Sequence, residues 1–64
     1  MGIPIYQKLC LTIEEAAEYS QIGEGRLRNY INTHRYADFI LWVGSHVRIK
    51  RKEFEKFISD IHDI

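Results

Sequence analysis

The sequence has one cysteine, one proline and no net charge, its nine lysines and arginines balancing nine aspartates and glutamates over 64 residues. A lone cysteine excludes an internal disulfide and the paired thiols of a zinc or redox motif. Cys10 sits in the apolar run Leu9-Cys10-Leu11 and is expected to be a small buried hydrophobe in a reducing cytoplasm. No apolar stretch approaches the roughly 20 residues needed to cross a bilayer, so no membrane partner is expected. The opening MGIPIYQKLCLTI lacks the basic start and long apolar core of a signal peptide. Tyr6 also stands where a myristoylation pattern wants Ser or Thr. A chain this short forms a single domain, residues 1–64, with a compact core and no room for a deep pocket.

Catalytic constellations are missing as well. His34, His46 and His62 fall on three different expected elements, and Cys10 lies far upstream, so neither a metal site nor a cofactor is expected. His34-Arg35-Tyr36 superficially resembles the chemistry of a tyrosine recombinase, but such enzymes assemble that group from distant positions in a much larger domain. Here His34 and Arg35 suit the negative end of a helix dipole. Glu14 and Glu15 suit the first turn of a helix, and no Gly-rich phosphate loop is present. The chain is not expected to be an enzyme.

What the sequence does have is an uneven distribution of charge. Between Gly25 and Lys52, seven basic side chains face Asp38 alone, a local charge of +6 that the acidic remainder cancels. Such asymmetry suits an anionic partner better than zero net charge suggests.

Thr12 followed by Glu15 is a capping box, and Ile13, Ala16, Ala17 and Ser20 recur at helical spacing, which predicts a helix over about 13–20. Ser20-Gln21-Ile22-Gly23 breaks the pattern, Gly23 serving to stop one helix or cap the next. A second helix carries Leu27, Tyr30 and Ile31 inward. Its opposite face presents Gly25, Asn29 and Asn32, with Arg26, Arg28 and Thr33 on the flanks.

After Tyr36 the period changes. A Gly44-Ser45 turn pairs Val43 with His46, Trp42 with Val47, Leu41 with Arg48, Ile40 with Ile49 and Phe39 with Lys50. Ile40, Trp42, Val47 and Ile49 then form the core face, and Phe39, Leu41, Val43, His46, Arg48 and Lys50 the outer one. A two-stranded hairpin is marginal alone, and Leu9 to Leu11 offers a third strand. From Arg51, helical spacing returns in Phe54, Phe57, Ile58 and Ile61, with Arg51–Glu55 and Lys56–Asp60 as expected surface pairs. The expected fold is α+β, a small winged helix-turn-helix: two helices, a β-hairpin wing and a C-terminal helix.

Double-stranded DNA is the partner this surface suits. Asn bridges adenine N6 and N7, Arg reaches guanine O6 and N7, and Arg26, Arg28, Asn29 and Asn32 are of those types. Gly25 would let the amides of the helix N-terminus approach a phosphate closely. On the wing, Gly44 and Ser45 are small enough to enter a minor groove, while Arg48, Lys50, Arg51 and Lys52 would neutralise phosphates.

The stretches LTIEEAAEYSQIGEGRLRNYI and GSHVRIKRKEFEKFI together resemble the small Xis-type excisionases of integrative conjugative transposons, which are MerR-like winged-helix proteins. The resemblance runs from about Ile3 to Ile64. It implies a recombination directionality factor, an accessory protein that binds repeated sites near the ends of a mobile element, bends the DNA and helps a tyrosine integrase excise it. Gly25, Arg26, Arg28, Asn29 and Asn32 would then read the major groove, and Gly44, Ser45, His46 and Arg48 would enter the minor groove. The last helix, with Glu55, Ser59, Asp60, His62 and Asp63 outward, would face the integrase or an adjacent copy. His46 stands where an arginine often occurs in that family, which would make the wing contact weaker or pH-sensitive. Two other readings remain open at this stage: a small transcriptional regulator with the same fold, and a protein-interaction domain without a DNA role.

Overall fold

The computed structural model describes residues 2–64. A single 3-10 turn at Ile5–Gln7 leads into strand β1, Cys10–Leu11, and Thr12 then begins helix α1, Ile13–Ser20. The capping box forms as expected: the Glu15 N–H donates to Thr12 Oγ1 at 3.1 Å and the Thr12 N–H to Glu15 Oε1 at 3.0 Å. Both donors would otherwise be orphaned at the helix start. The Lys8 ammonium pairs with the same carboxylate and ties the strand-side segment to α1.

Gln21, not Gly23, stops α1, adopting the left-handed conformation at φ 65°. Gly23 is the N-cap of helix α2, Glu24–Thr33. Ser20 secures the turn between them: its hydroxyl donates to the Ala16 carbonyl at 2.7 Å and accepts from the Ile22 N–H at 3.2 Å. At the far end His34 caps α2, its N–H reaching the Tyr30 carbonyl at 2.8 Å while its ring stacks on Tyr30 at 3.9 Å.

Strands β2, Ile40–Val43, and β3, His46–Lys50, form the hairpin in the register expected from its turn, Ile40 opposite Ile49 through Val43 opposite His46. Gly44 supplies the positive φ, 63°, that so tight a turn requires. β1 does add a third strand, antiparallel to β3, with Cys10 opposite Lys50 and Leu11 opposite Ile49, so the sheet order is β1-β3-β2. Helix α3, Arg51–Asp60, follows β3 without a loop. Three helices against a three-stranded antiparallel sheet, in this order, are compatible with a winged helix-turn-helix.

The core lies where α1, α2 and α3 meet the inner face of the sheet, and Leu11, Ala16, Leu27 and Ile49 are completely buried there. Full burial of a Leu or Ile side chain contributes about 1.5–3 kcal/mol.

The structure departs from the sequence expectations at several positions. Phe39 belongs to the core, only 1% exposed, and not to the outer face of the hairpin. It sits in the turn closed by the Ile40 N–H on the Ala37 carbonyl, just before β2 begins, so strand alternation does not reach it. Its ring packs 4.6 Å from Phe57 and 5.4 Å from Phe54. Trp42 and Val47, expected in the core, are half-buried, because they lie further out along the hairpin than Ile40 and Ile49. Cys10 is likewise only half-buried, since it shares the outer face with its partner Lys50.

Arg51 and Glu55 pair at 3.1 Å as expected, but Lys56 and Asp60 form no ion pair among the described residues. α3 ends at Asp60, so His62 and Asp63 follow the helix and do not belong to its outward face. A hydrogen bond from Tyr19 of α1 and the pairing with Arg51 hold the Glu55 carboxyl below its ordinary range and fasten α1 to α3. No helix among the described residues is long and apolar enough to cross a membrane.

The cap at Thr12 gives two expectations. Thr12→Ala should cost about 1 kcal/mol in urea unfolding. The Lys8 hydrogen bond, followed by the Thr12 N–H, holds the Glu15 carboxyl below its ordinary value of 4.5. With the folded value below the unfolded one, this contribution is complete above about pH 4.5 and is lost as pH falls through the folded value. Glu15→Gln should therefore be less stable than the wild type at neutral pH and should converge with it in acid. Parallel stability curves would refute that role for Glu15.

Candidate nucleic-acid interface

The exposed side of α2 is built by default, because Leu27 and Ile31 are drawn into the core and leave the rest of the helix outside. Gly25, Arg26, Arg28, Asn29, Asn32 and Thr33 are all exposed. Arg26 points no bond at the protein, and the Asn29 and Asn32 side-chain amides are likewise free of hydrogen bonds among the described residues, so they remain available to an external partner. Thr33 is less available: its hydroxyl lies 3.1 Å from the Asn29 carbonyl and 3.0 Å from that of Tyr30.

Gly25 stands in the first turn of α2. A Cβ there would meet nothing within 4 Å, so internal packing does not require glycine at this position. What the missing side chain provides is open access to the first-turn amides, the part of a helix that favours an anion.

Arg28 is held in place. Its Nε donates to Glu24 Oε2 at 2.9 Å and its Nη2 to Glu14 Oε2 at 3.1 Å, so one guanidinium links the first turns of α1 and α2. All three side chains are roughly half exposed. From the sequence Glu14 was read only as a first-turn carboxylate of α1, and Glu24 was not singled out. The four-residue spacing of Glu24 and Arg28 is a legible signal, whereas the contact with Glu14 exists only because α1 packs against α2.

On the wing, Gly44, Ser45 and His46 are exposed at the tip. Arg48 is half-buried opposite Leu41, with Nη1 on the Val47 carbonyl at 2.8 Å. Leu41 and Val43 add exposed apolar surface to the same outer face, at 40% and 54% exposure. Trp42 braces the hairpin against the loop that follows α2: its Nε1 donates to the Arg35 carbonyl at 2.8 Å, and the Arg35 guanidinium lies 4.5 Å over its ring. The orientation of the wing is thus coupled to the end of α2.

The cations after the wing divide into two kinds. Lys50 is half-buried beside Cys10, and Lys52 is exposed. Arg51 has a structural task, its Nε on the Lys8 carbonyl at 2.8 Å and Nη1 on Glu55, which makes it the least free of the basic side chains singled out from the sequence.

No group of His, Cys, Asp and Glu among the described residues is placed to hold a metal ion. An open groove lies between the loop after α2 and helix α3, lined by Tyr30, His34, Tyr36 and Phe57 among others.

A family model described as "Excisionase from transposon Tn916" matches residues 1–63. The excisionase from transposon Tn916 of Streptococcus agalactiae serotype V (strain ATCC BAA-611 / 2603 V/R) is 42% identical over 62 residues, covering 97% of this chain and 92% of that protein. With the family model matching almost end to end and the relative aligned over nearly its whole length, this chain belongs to the Tn916 excisionase family.

Proposed function

We propose that this protein is a non-catalytic excision factor that binds and bends double-stranded DNA so that a tyrosine integrase can release a mobile element. The family match along the whole chain carries the reading. In this proposal α2 lies in a major groove, with Arg26, Arg28, Asn29 and Asn32 towards base edges and Gly25 letting its first-turn amides approach a phosphate. Thr33 sits at the margin of that contact. The wing tip, Gly44, Ser45 and His46, enters the neighbouring minor groove, and Arg48, Lys50 and Lys52 neutralise flanking phosphates, with a smaller contribution from Arg51. Repeated sites near the element ends would seat adjacent copies, and the outward side of α3 would face the integrase or the next copy. The protein would work in the bacterial cytoplasm, on nucleoid DNA.

The physical support is the separation of charge. Arg26 and the cations of the wing lie on elements anchored by buried Leu27, Ile31, Ile40 and Ile49, so they are presented without loss of core. A duplex contacted at two grooves gives a small domain a footprint that one ten-residue helix does not hold alone.

Reconstituted excision decides the function. A plasmid carrying both element ends should be excised by the cognate tyrosine integrase when this protein is present and much less without it. Equal excision in both reactions would reject the reading. At the wing, Arg48→Ala should flatten the plot of log affinity against log salt by nearly one unit if Arg48 meets a phosphate. An unchanged slope would remove it from the interface. Gly25→Ala should stabilise the fold by roughly 0.5–1 kcal/mol, through higher helix propensity, while weakening DNA binding. Unchanged binding in that variant would mean that no phosphate comes close to the start of α2.

A further inference from the structure

Arg28 differs from the other cations proposed for the interface in that two carboxylates grip its guanidinium along one edge. Nε and Nη2 are bonded to Glu24, at 2.9 and 2.8 Å, and Nη2 also to Glu14 at 3.1 Å. Among the described residues Nη1 has no partner, and 47% of the side chain remains exposed. The guanidinium is therefore fixed in direction, with its Nη1 end free. Two carboxylates surround one cation, so the local charge is negative.

These facts discriminate between two uses of an arginine at a DNA surface. A phosphate approaching this guanidinium would bring its own negative charge close to Glu14 and Glu24, and like charges at such distances repel. A base edge presents neutral acceptors and suffers no comparable repulsion. Guanine offers O6 and N7 in the major groove as neutral acceptors, and the free Nη1, held in a fixed direction, can donate to either of them. A long, flexible side chain also loses less freedom on binding if it is already held in its bound direction.

We infer that Glu14 and Glu24 are positioning residues that hold Arg28 as a guanine reader and keep it from serving as a general phosphate contact. The inference rests on α2 lying in a major groove, as proposed above. It assigns specificity to two acidic residues on the face of the protein that approaches a polyanion. Glu14 acts from α1, so the first helix takes part in reading sequence through its grip on the second.

The test is a selection from a pool of randomised DNA duplexes with the full chain, followed by sequencing, for the wild type, the double variant Glu14→Gln/Glu24→Gln, and Arg28→Lys. The wild type should enrich a motif containing a guanine position. That preference should fall by about tenfold in the double variant, while its affinity for a fixed unrelated duplex rises. Arg28→Lys keeps the charge but loses the planar fork, and should lose the same guanine preference. It keeps the test decisive if the double variant does not fold, which far-ultraviolet circular dichroism would reveal. An enriched motif that is identical in the wild type and in either folded variant would overturn the inference and leave the proposed DNA binding intact. A wild type that enriches no motif would overturn both.

Discussion

Strand β3 holds the molecule together because it is paired on both sides. Five residues, His46–Lys50, bond to β2 on one edge and to β1 on the other, and the chain passes from them directly into α3. The ladder continues past its formal end, with the Lys50 N–H on the Phe39 carbonyl at 2.7 Å and the Arg51 N–H on the Leu9 carbonyl at 3.1 Å. Ile49, fully buried between Leu11 and Ile40 on neighbouring strands, adds the apolar counterpart of these bonds. A two-stranded hairpin is marginal alone. The two residues of β1 widen the base of the hairpin into a three-stranded sheet.

The same economy governs the charged groups. A domain of this size has too little buried surface to tolerate unpaired charge inside, and no polar or charged residue among those described is buried. Its ion pairs lie at the surface, where each contributes little to stability. Their value lies in joining elements: Lys8 to Glu15 fixes the start of α1, Tyr19 and Arg51 converge on Glu55, and Arg28 bridges α1 and α2. Acidic residues that make the chain neutral overall thus serve as the anchors of its basic ones. Zero net charge is compatible with a DNA-binding family because Glu14, Glu15, Glu24 and Glu55 are paired within the fold, whereas Arg26 and Lys52 form no ion pair among the described residues.

Much of this was legible from residue order. The capping box and the spacing of Ile13, Ala16 and Ala17 located α1, and Gly44-Ser45 set the hairpin register. These features are local: they depend on hydrogen bonds and side-chain periodicity within a few residues of one another. The exposed face of α2 was legible for the same reason, since fixing Leu27 and Ile31 inward determines which residues remain outside. Resemblance to a known family was carried by such short stretches too.

Tertiary structure decided everything that depends on two distant segments meeting. Phe39 turned inward because a turn precedes β2 and an aromatic cluster from α2 and α3 awaits it, which no alternation rule contains. Arg51 was read as a surface partner of Glu55 and a phosphate contact, yet the carbonyl of Lys8 also lies against it, 43 residues away in sequence. Glu14 reached Arg28 across the packing of two helices, 14 residues apart. The sequence by itself determined the elements, the exposed face of α2 and the family, because those follow from local periodicity and motif. Only the packed structure determined which charges neutralise one another, because pairing depends on distance in space and not on separation along the chain.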